Sequence, residues 1–217
     1  MKGIFGGVWK IDGKIFTKSL IKGEKIYTEK IIKKGGEEFR EWSPYRSKLA
    51  AAIMKGLKIF PIKNGCKVLY LGVASGTTAS FISDIIGRNG IIYGVDVSER
   101  SLRELVPLAE KRKNIVPILA NAKLPEQYWW IEKVDIVYED VASDDQSEIM
   151  IRNAKLYLKK DGYAMIAIKA RSIDVTDMPE NIYASEERKL SKHFVILEKL
   201  ILDPYEKDHA FFVMKKR

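Results

Sequence analysis

Small residues and hydroxyl groups follow one apolar segment of the chain in a spacing that suits ligand binding. Gly72, Ala74 and Gly76 form a G-x-A-x-G turn after KVLYL. Small residues at such a turn let the backbone bend sharply and approach a ligand closely. Thr77 and Thr78 come next, at the expected N-terminus of a helix, where exposed amides favour carboxylates and other anions. The loop therefore predicts a binding site for a cofactor with an anionic group.

An acidic residue, Asp96, stands 24 positions after Gly72, where the apolar segment IIYGVD ends. An acid at the tip of the second strand can accept hydrogen bonds from two ribose hydroxyls, as in sites for nicotinamide dinucleotides and for S-adenosylmethionine. The stretch GVASGT lacks the third glycine of the usual dinucleotide loop, which favours S-adenosylmethionine. A glycine turn with a purely structural role stays open as the alternative.

Apolar strands alternate with amphipathic helices from Cys66 to the end of the chain. This alternation predicts an α/β protein with a mostly parallel sheet covered on both faces. The last two strands, FVILEKLIL and HAFFVMKK, are joined by DPYEKD, which is too short for a crossover helix, so we expect them to pair antiparallel. Together these features predict a Rossmann-like methyltransferase fold with seven strands. Pro107, inside the helix SERSLRELVPLAEKRK, predicts a kink or a break.

The segment before this repeat is predicted to be a small β-rich appendage over residues 1–38, followed by the main domain over residues 39–217. The pair Asp12-Gly13 is a hairpin signal between GGVWKI and KIFTKSL, and EKIYTEKII is expected to form a further strand before the break at Gly35-Gly36. Ser43-Pro44 is expected to open a helix. The expected buried face of that helix consists of Tyr45, Leu49, Ile53, Leu57 and Phe60.

The composition favours a polyanionic partner. The 217 residues contain 38 Lys and Arg against 29 Asp and Glu, a net charge of +9, although a merely soluble basic protein would show the same excess. The single cysteine, Cys66, permits no internal disulfide and fits a reducing compartment. The segment MKGIFGGVWKIDGK is no signal peptide, and the apolar runs are too short to span a membrane. We therefore expect a soluble, cytoplasmic protein.

Six segments resemble the fibrillarin family, in its short archaeal-type form, over essentially the whole chain. They are WSPYRSKLAAAI, KVLYLGVASGTT, IYGVDVSERSLREL, VDIVYEDVA, AMIAIKARSIDVT and DPYEKDHAFFV. The resemblance implies an S-adenosylmethionine-dependent methyltransferase that modifies ribose 2′-hydroxyls of ribosomal and transfer RNA. It also implies a box C/D guide RNA, a Nop-type scaffold protein and a kink-turn-binding protein of the ribosomal type. The glycine-arginine-rich tail of eukaryotic members is absent, which fits the cytoplasmic expectation.

The resemblance further implies a catalytic set of Lys48, Asp140, Lys169 and His209, all four of which this chain carries. Asp140 would take or orient the 2′-hydroxyl proton, the two lysines would stabilise negative charge and fix the ribose, and His209 would complete the network. Simpler alternatives stay open: Lys48 as a solvated lysine, and Asp140 or its neighbour Glu139 as a helix cap. No cluster has metal-ligand spacing, so we expect no catalytic metal.

The cofactor residues implied by the family pattern include two departures from it. The loop after NIVPILA carries Asn121 where an Asp is usual, and the strand-end acid is Asp96-Val97 where Glu and an aromatic are common. An amide oxygen can still accept a hydrogen bond from adenine, though without charge. The complete expected set is Gly72, Ala74, Gly76, Thr77, Thr78, Asp96, Val97, Asn121, Ala122, Asp140, Val141, Ala142 and Ser143.

Two other functions compete with this interpretation. A nicotinamide-dependent oxidoreductase would use the same loop, but it needs neither the Lys-Asp-Lys-His set nor the basic charge. A non-catalytic RNA-binding subunit would keep the fold and lose the reaction. No RNA-recognition module with a stacking platform is visible in the sequence, so we expect weak RNA affinity for the isolated chain.

Overall fold

A computed structural model describes residues 1–217 and contains two β-sheets. The larger sheet has seven strands: β6 (Lys67–Leu71), β7 (Ile91–Asp96), β8 (Ile115–Leu119), β9 (Val134–Glu139), β10 (Leu158–Lys169), β11 (Phe194–Ile201) and β12 (His209–Lys216). Their order is β11-β12-β10-β9-β6-β7-β8. Strands β6 to β10 pair parallel, whereas β12 pairs antiparallel with both β10 and β11. The predicted fold class is thereby confirmed.

Six helices cover this sheet: α1 (Lys48–Met54), α2 (Thr77–Ile86), α3 (Glu99–Arg112), α4 (Gln146–Tyr157), α5 (Ala170–Ile173) and α6 (Pro179–Ser191). Because side chains alternate along a strand, the two faces of the sheet contribute to two separate hydrophobic cores. Helices α1, α2 and α3 pack on one face, and α4 and α6 pack on the other. None of the helices combines the length and the apolar character needed to cross a membrane.

The smaller sheet is antiparallel and lies in the amino-terminal segment, with the order β1-β2-β3-β5-β4. Its strands are β1 (Lys2–Phe5), β2 (Val8–Ile11), β3 (Lys14–Lys18), β4 (Ile31–Lys34) and β5 (Glu37–Glu41). Strand β5 runs past the expected boundary at residue 38. Val8, Ile15 and Trp42 belong to the same core as α2, and the ring of Trp42 stacks on Phe81 with centroids 5.1 Å apart. The small sheet therefore shares a core with the larger domain.

Buried charges also join the small sheet to α2 and α3. The carboxylate of Asp84, on α2, contacts Arg40 of β5 at 2.9 Å and Arg112 of α3 at 2.8 Å, and all three side chains are fully buried. The same carboxylate accepts hydrogen bonds from the Thr17 hydroxyl at 2.7 Å and from the Leu20 amide at 2.9 Å. One acid therefore connects three parts of the fold.

The first helix begins four residues later than predicted. Ser43 and Pro44 lie in a turn, in which the Tyr45 amide donates to the Ser43 hydroxyl at 3.3 Å. Ser47, in extended conformation, is the N-cap, and its hydroxyl accepts from the Ala50 amide. The expected buried face is wrong at both ends: Tyr45 is 66% exposed, and both Leu57, which is buried, and Phe60 lie beyond the end of the helix.

Three other local predictions differ from the structure. Helix α3 runs unbroken through Pro107, because both Pro107 and Arg103 are exposed and water can satisfy the freed Arg103 carbonyl. Much of EKIYTEKII is irregular, because the Glu29 carboxylate accepts the amides of Ile26 and Tyr27 and holds a turn. Residues 158–160 start β10 rather than end α4.

Candidate active site

A cavity of about 370 Å³ lies over the carboxyl ends of the parallel strands, where open α/β sheets bind their ligands. Most of the residues expected to bind a cofactor line it, together with four that were not expected: Val95, Ala120, Lys123 and Ile149. The expected ones are Gly72, Ala74, Asp96, Val97, Asn121, Ala122, Asp140, Val141, Ala142 and Ser143. The strand ends therefore bring together residues from four separate loops.

A larger cavity, about 690 Å³ in volume, lies at the opposite edge of the sheet. It is lined by residues 59–67 and by the first residues of β9 and β10, including Asp135 and Lys159. This edge holds the amino ends of the strands, and none of the expected catalytic residues lines the cavity. The smaller cavity is therefore the candidate site.

Three of the expected cofactor residues do not line the cavity. A side chain at Gly76 would meet Leu105 of α3 at 2.4 Å, so this glycine serves close helix packing. Thr77 borders a separate surface depression, and the buried Thr78 hydroxyl donates to the Ser47 hydroxyl at 2.9 Å. That last contact ties the start of α2 to the N-cap of α1.

Gly72 is required by the close approach of two loops. Its φ is +76°, and a Cβ at this position would lie 2.6 Å from the carbonyl oxygen of Asp140. The Asp140 amide donates to the Leu71 carbonyl at 2.9 Å, which continues the pairing of β6 and β9 to their ends. The turn therefore places the Asp140 backbone directly beside the floor of the cavity.

The Asp96 carboxylate is held by two backbone amides. One oxygen accepts from Ala74 and the other from Ser98, both at 2.8 Å. Each carboxylate oxygen has a second lone pair, so both can still accept a hydrogen bond from a ligand. The acid is therefore fixed in orientation and keeps an acceptor position on each oxygen.

Asn121 is partly engaged within its own loop. Its side-chain oxygen accepts from the Lys123 amide at 2.9 Å, and its backbone amide donates to the Gln127 side chain at 2.9 Å. The amide oxygen keeps one lone pair for a ligand. The neighbouring Val97 is 66% exposed and offers an apolar edge to the cavity.

Lys48 and Asp140 form an ion pair at the edge of this cavity. Lys48 Nζ lies 2.9 Å from Asp140 Oδ1, and the two side chains are only 21% and 17% exposed. Burial by itself lowers the pKa of Lys48, but the charge and direct contact of Asp140, with a contribution from Glu206, outweigh it and raise the pKa. Lys48 is therefore a charged, paired group and not a solvated lysine. The N-cap of α4 is Asp145, so neither Glu139 nor Asp140 caps that helix.

His209 lies next to Lys169, because the two residues are cross-strand partners in the pairing of β10 with β12. The imidazole is buried, and its Nδ1 lies 2.7 Å from the Lys207 carbonyl oxygen, to which an Nδ1–H donates. Its Nε2 is buried and has no partner. Burial, helped by the charge of Lys48, lowers the pKa of His209 below its usual value despite the opposing effects of the Lys207 carbonyl, Glu206 and Asp140. The ring is therefore neutral near pH 7 and presents a free lone pair.

Gln146 is a positioning residue that the sequence reasoning missed. The fully buried side chain donates to the Ser143 carbonyl at 2.7 Å and to the Lys169 carbonyl at 3.1 Å, and it accepts from the Lys169 amide at 2.9 Å. It thus links the loop after β9 to the end of β10. The spacing Ser143-x-x-Gln146, which resembles a capping box, was the available signal.

Glu139 precedes Asp140 but points to the other side of the sheet, with Val137, into the core under α4 and α6. Both of its carboxyl oxygens are buried without a partner. Burial raises the pKa of Glu139 well above its usual value, and the charges of Asp145, Asp140 and Glu186 raise it further. The group is therefore protonated in the folded protein under conditions where the unfolded chain would ionise it.

Replacing Glu139 with Gln is expected to leave the protein at least as stable as the wild type near pH 7. Since the folded pKa is raised, the wild type loses stability as pH rises from the unfolded pKa toward the folded one, and Gln removes that loss. The melting temperature of the variant relative to wild type should therefore increase from about pH 5 to about pH 7 in calorimetry. A difference that stays constant over this interval would contradict a protonated Glu139.

The strand order and the site together define a class of protein. A parallel sheet with an antiparallel β12 inserted beside β10, and a ligand cavity over the ends of β6 to β9, is the Rossmann-like methyltransferase arrangement. A profile of the fibrillarin family matches residues 1–217. The fibrillarin-like rRNA/tRNA 2′-O-methyltransferase of Pyrococcus furiosus is 56% identical, over 98% of this chain and 96% of that protein. The chain belongs to the fibrillarin family and is a methyltransferase, which excludes the oxidoreductase alternative.

Two solved structures are similar to the chain over most of its length. One is Aeropyrum pernix fibrillarin in complex with natively bound S-adenosylmethionine, with 48% identity, a TM-score of 0.87, and coverage of 93% of this chain and 88% of that one. The other is a fibrillarin/Nop5p complex, with 40% identity, a TM-score of 0.92 and full coverage of both chains. The family fold is therefore shared along the whole length of this protein.

Proposed function

We propose that this protein transfers a methyl group from S-adenosylmethionine to ribose 2′-hydroxyls of ribosomal and transfer RNA. The observation that carries the proposal is the Lys48–Asp140 ion pair at the edge of the strand-end cavity, together with His209, whose Nε2 is unpartnered and whose pKa both charges influence. The 2′-hydroxyl is a weak acid, and its methylation needs groups that orient it and accept its proton. The pair and the imidazole are groups of that kind.

The cavity residues fit S-adenosylmethionine. The free lone pairs of Asp96 suit the two ribose hydroxyls, the amide oxygen of Asn121 suits the adenine amine, and the backbone around Gly72 allows close approach of the amino-acid part. When bound, S-adenosylmethionine would supply a methyl group attached to a positively charged sulfur. The acceptor oxygen would attack the methyl carbon in line, and the sulfur would leave. The protein's own task is to hold the acceptor oxygen against that methyl group.

Asp140 is the group we assign to the 2′-hydroxyl, either accepting its proton or holding its orientation. Lys48 keeps its own proton, because its pKa is raised, so it acts as a fixed positive charge beside the oxygen. Lys169 forms no ion pair with any acid within 4.0 Å and is thus free to bind the ribose or a neighbouring phosphate. His209, neutral and with a free Nε2, can accept the proton that leaves the site.

The partners we propose are a box C/D guide RNA, a Nop-type scaffold protein and a kink-turn-binding protein of the ribosomal type. The net charge of +9 attracts RNA without selecting a sequence, and in the proposed complex base pairing with the guide selects the target. The relative solved in complex with Nop5p supports a scaffold of that kind.

Methyl transfer from labelled S-adenosylmethionine tests this function directly. The complex is assembled from this protein, a scaffold protein, the kink-turn-binding protein, a guide RNA and a matching target RNA. We expect label in the target at one ribose, and loss of label when that residue is a 2′-deoxynucleotide. Assembly without any transfer to the target RNA would contradict the proposed substrate.

Replacing Asp96 with Ala is expected to weaken S-adenosylmethionine binding by about 1–3 kcal/mol, because ligand hydroxyls would lose their acceptor. Isothermal titration calorimetry on the isolated protein measures this change. Glu99→Ala is a matched control, since Glu99 is also acidic and lies just beyond the same loop, but its side chain is 65% exposed on α3. If Asp96→Ala, like the control, binds S-adenosylmethionine with the wild-type affinity, Asp96 is not part of the site.

A further inference from the structure

Two tyrosines in contact, Tyr45 and Tyr205, lie in the segments that carry Lys48 and His209. Tyr45 is 66% exposed, although it lies only three positions before Lys48. Its ring meets that of Tyr205 nearly at right angles, with centroids 5.3 Å apart. Tyr205 is half-buried and packs on the core under α1. One ring is therefore anchored, and the other is held by it while staying open to solvent.

Each tyrosine belongs to a segment that also delivers a catalytic residue. Tyr45 is followed by Arg46 and then Lys48, and Tyr205 is followed by Lys207 and then His209. Glu206, between them, is close enough to Lys48 and His209 to influence the pKa of both. The tyrosine pair is therefore close to Lys48 and His209, on the side of the site where the methyl-accepting ribose is proposed to bind.

The same two segments also supply two exposed cations. Arg46 and Lys207 are both exposed, and neither forms an ion pair with an acid. The guanidinium of Arg46 lies over the ring of Tyr27 at 4.8 Å, which holds it beside the turn before α1. Aromatic rings interleaved with free cations are the usual means by which a surface binds a nucleic-acid strand without reading its sequence.

We propose that Tyr45, supported by Tyr205, packs against a nucleoside of the target RNA next to the methylated ribose, while Arg46 and Lys207 bind the flanking phosphates. The inference rests on the proposed function, since it names how the acceptor strand is held. A free hydroxyl at 2′ has no chemical feature that distinguishes one ribose from the next. Base pairing with the guide sets which nucleotide is presented, and an aromatic ring stacked on a neighbouring nucleoside holds the reacting sugar in place, which phosphate charge alone would not do.

Steady-state methylation by the assembled complex, with target RNA varied and S-adenosylmethionine saturating, tests this surface. We expect Tyr45→Ala to raise KM for target RNA by about 5- to 150-fold, and Tyr45→Phe to stay within about twofold of wild type, because the ring provides the contact. Tyr45→Leu, with apolar bulk and no ring, should behave like Ala. Rescue by Leu equal to that by Phe would overturn a stacking role.

Salt dependence separates the ring from the cations. Lys207→Ala should lower the slope of log affinity against log salt by about one, whereas Tyr45→Ala should leave the slope unchanged.

Melting temperature and S-adenosylmethionine affinity of all variants should match the wild type, since Tyr45 is exposed and lies outside the cofactor cavity. If the wild-type complex methylates RNA and Tyr45→Ala has an unchanged KM, this inference fails alone. If the wild-type complex transfers no methyl group, the proposed function fails with it.

Discussion

Replacing Asp140 with Asn should lower the single-turnover rate of methyl transfer by about 10²- to 10⁴-fold, the usual contribution of a positioned base. Asn keeps the size of the side chain and one oxygen, but it cannot take up the 2′-hydroxyl proton or pair electrostatically with Lys48. Lys48, whose side chain is 21% exposed, would then lose its only ion-pair partner and keep only the weaker influence of Glu206. Both effects act on the chemical step.

The measurement requires saturating S-adenosylmethionine, because Asp140 also lines the cofactor cavity. Affinity for the cofactor is therefore determined first by calorimetry, and rates are compared in the fully assembled complex. Glu139→Gln is the matched control: it removes the adjacent carboxyl, which points into the opposite core and has no free route to the substrate. We expect this control to methylate at close to the wild-type rate.

If Asp140→Asn transfers the methyl group at close to the wild-type rate, the protein accelerates the reaction by positioning the ribose and not by accepting its proton. Lys169→Ala separates the two accounts further. Lys169 lies outside the cofactor cavity and forms no ion pair, so its loss should affect substrate-dependent rates and not cofactor affinity. A change confined to KM for RNA would assign Lys169 to binding, and a change in the saturated rate would assign it to the reaction.

The edge of the sheet that holds the candidate site follows from the sequence for a simple reason. Gly72 and Asp140 directly follow apolar strands, and Asp96 and Lys169 are the last residues of theirs. The carboxyl ends of parallel strands meet at one edge of the sheet. Strand periodicity and the short final connection are local features, so both the parallel sheet and its antiparallel pair were predictable. No side-chain contact was needed for that step.

The position of the first helix was not predictable, because two good capping sequences compete within five residues. Ser43-Pro44 is the better N-cap sequence by local propensity. Ser47 is the N-cap in the structure, where its hydroxyl accepts a hydrogen bond from Thr78, 31 positions away. Trp42 stacks on Phe81 and fixes the chain just before the turn. Tyr45 is consequently turned out to solvent, and Lys48 begins the helix facing Asp140. Tertiary contacts of this kind outweigh a local propensity.

The role of Asp84, which joins the small sheet to α2 and α3, could not be predicted from the sequence for the same reason. Asp84 is one carboxylate among 29 acidic residues, and it lies in a helix with no motif around it. Its partners come from positions 17, 20, 40 and 112, none of which is a helical neighbour. Only the folded chain identifies it as a buried charge.

Replacing Asp84 with Asn should therefore lower the free energy of unfolding by about 3–5 kcal/mol, the usual cost of breaking a buried ion pair by removing one partner. Arg40 would keep Glu29 at 2.9 Å, and Arg112 would keep Glu24 at 2.7 Å, in a contact that lacks hydrogen-bond alignment. Two buried guanidinium groups would then face an amide whose NH₂ group is itself a donor, so at least one N–H is left without an acceptor.

Urea denaturation measures this loss, as a lower midpoint with an unchanged slope. Glu99→Gln is the control, since it breaks the exposed Glu99–Arg103 pair on α3, where a loss below about 1 kcal/mol is expected. Hydrogen exchange locates the effect: amides of β5 and α2 should lose protection together in Asp84→Asn, because that one carboxylate links them. A variant as stable as the control would mean that the buried charges contribute little, and that the apolar core formed by Val8, Ile15 and Trp42 with α2 holds the small sheet in place.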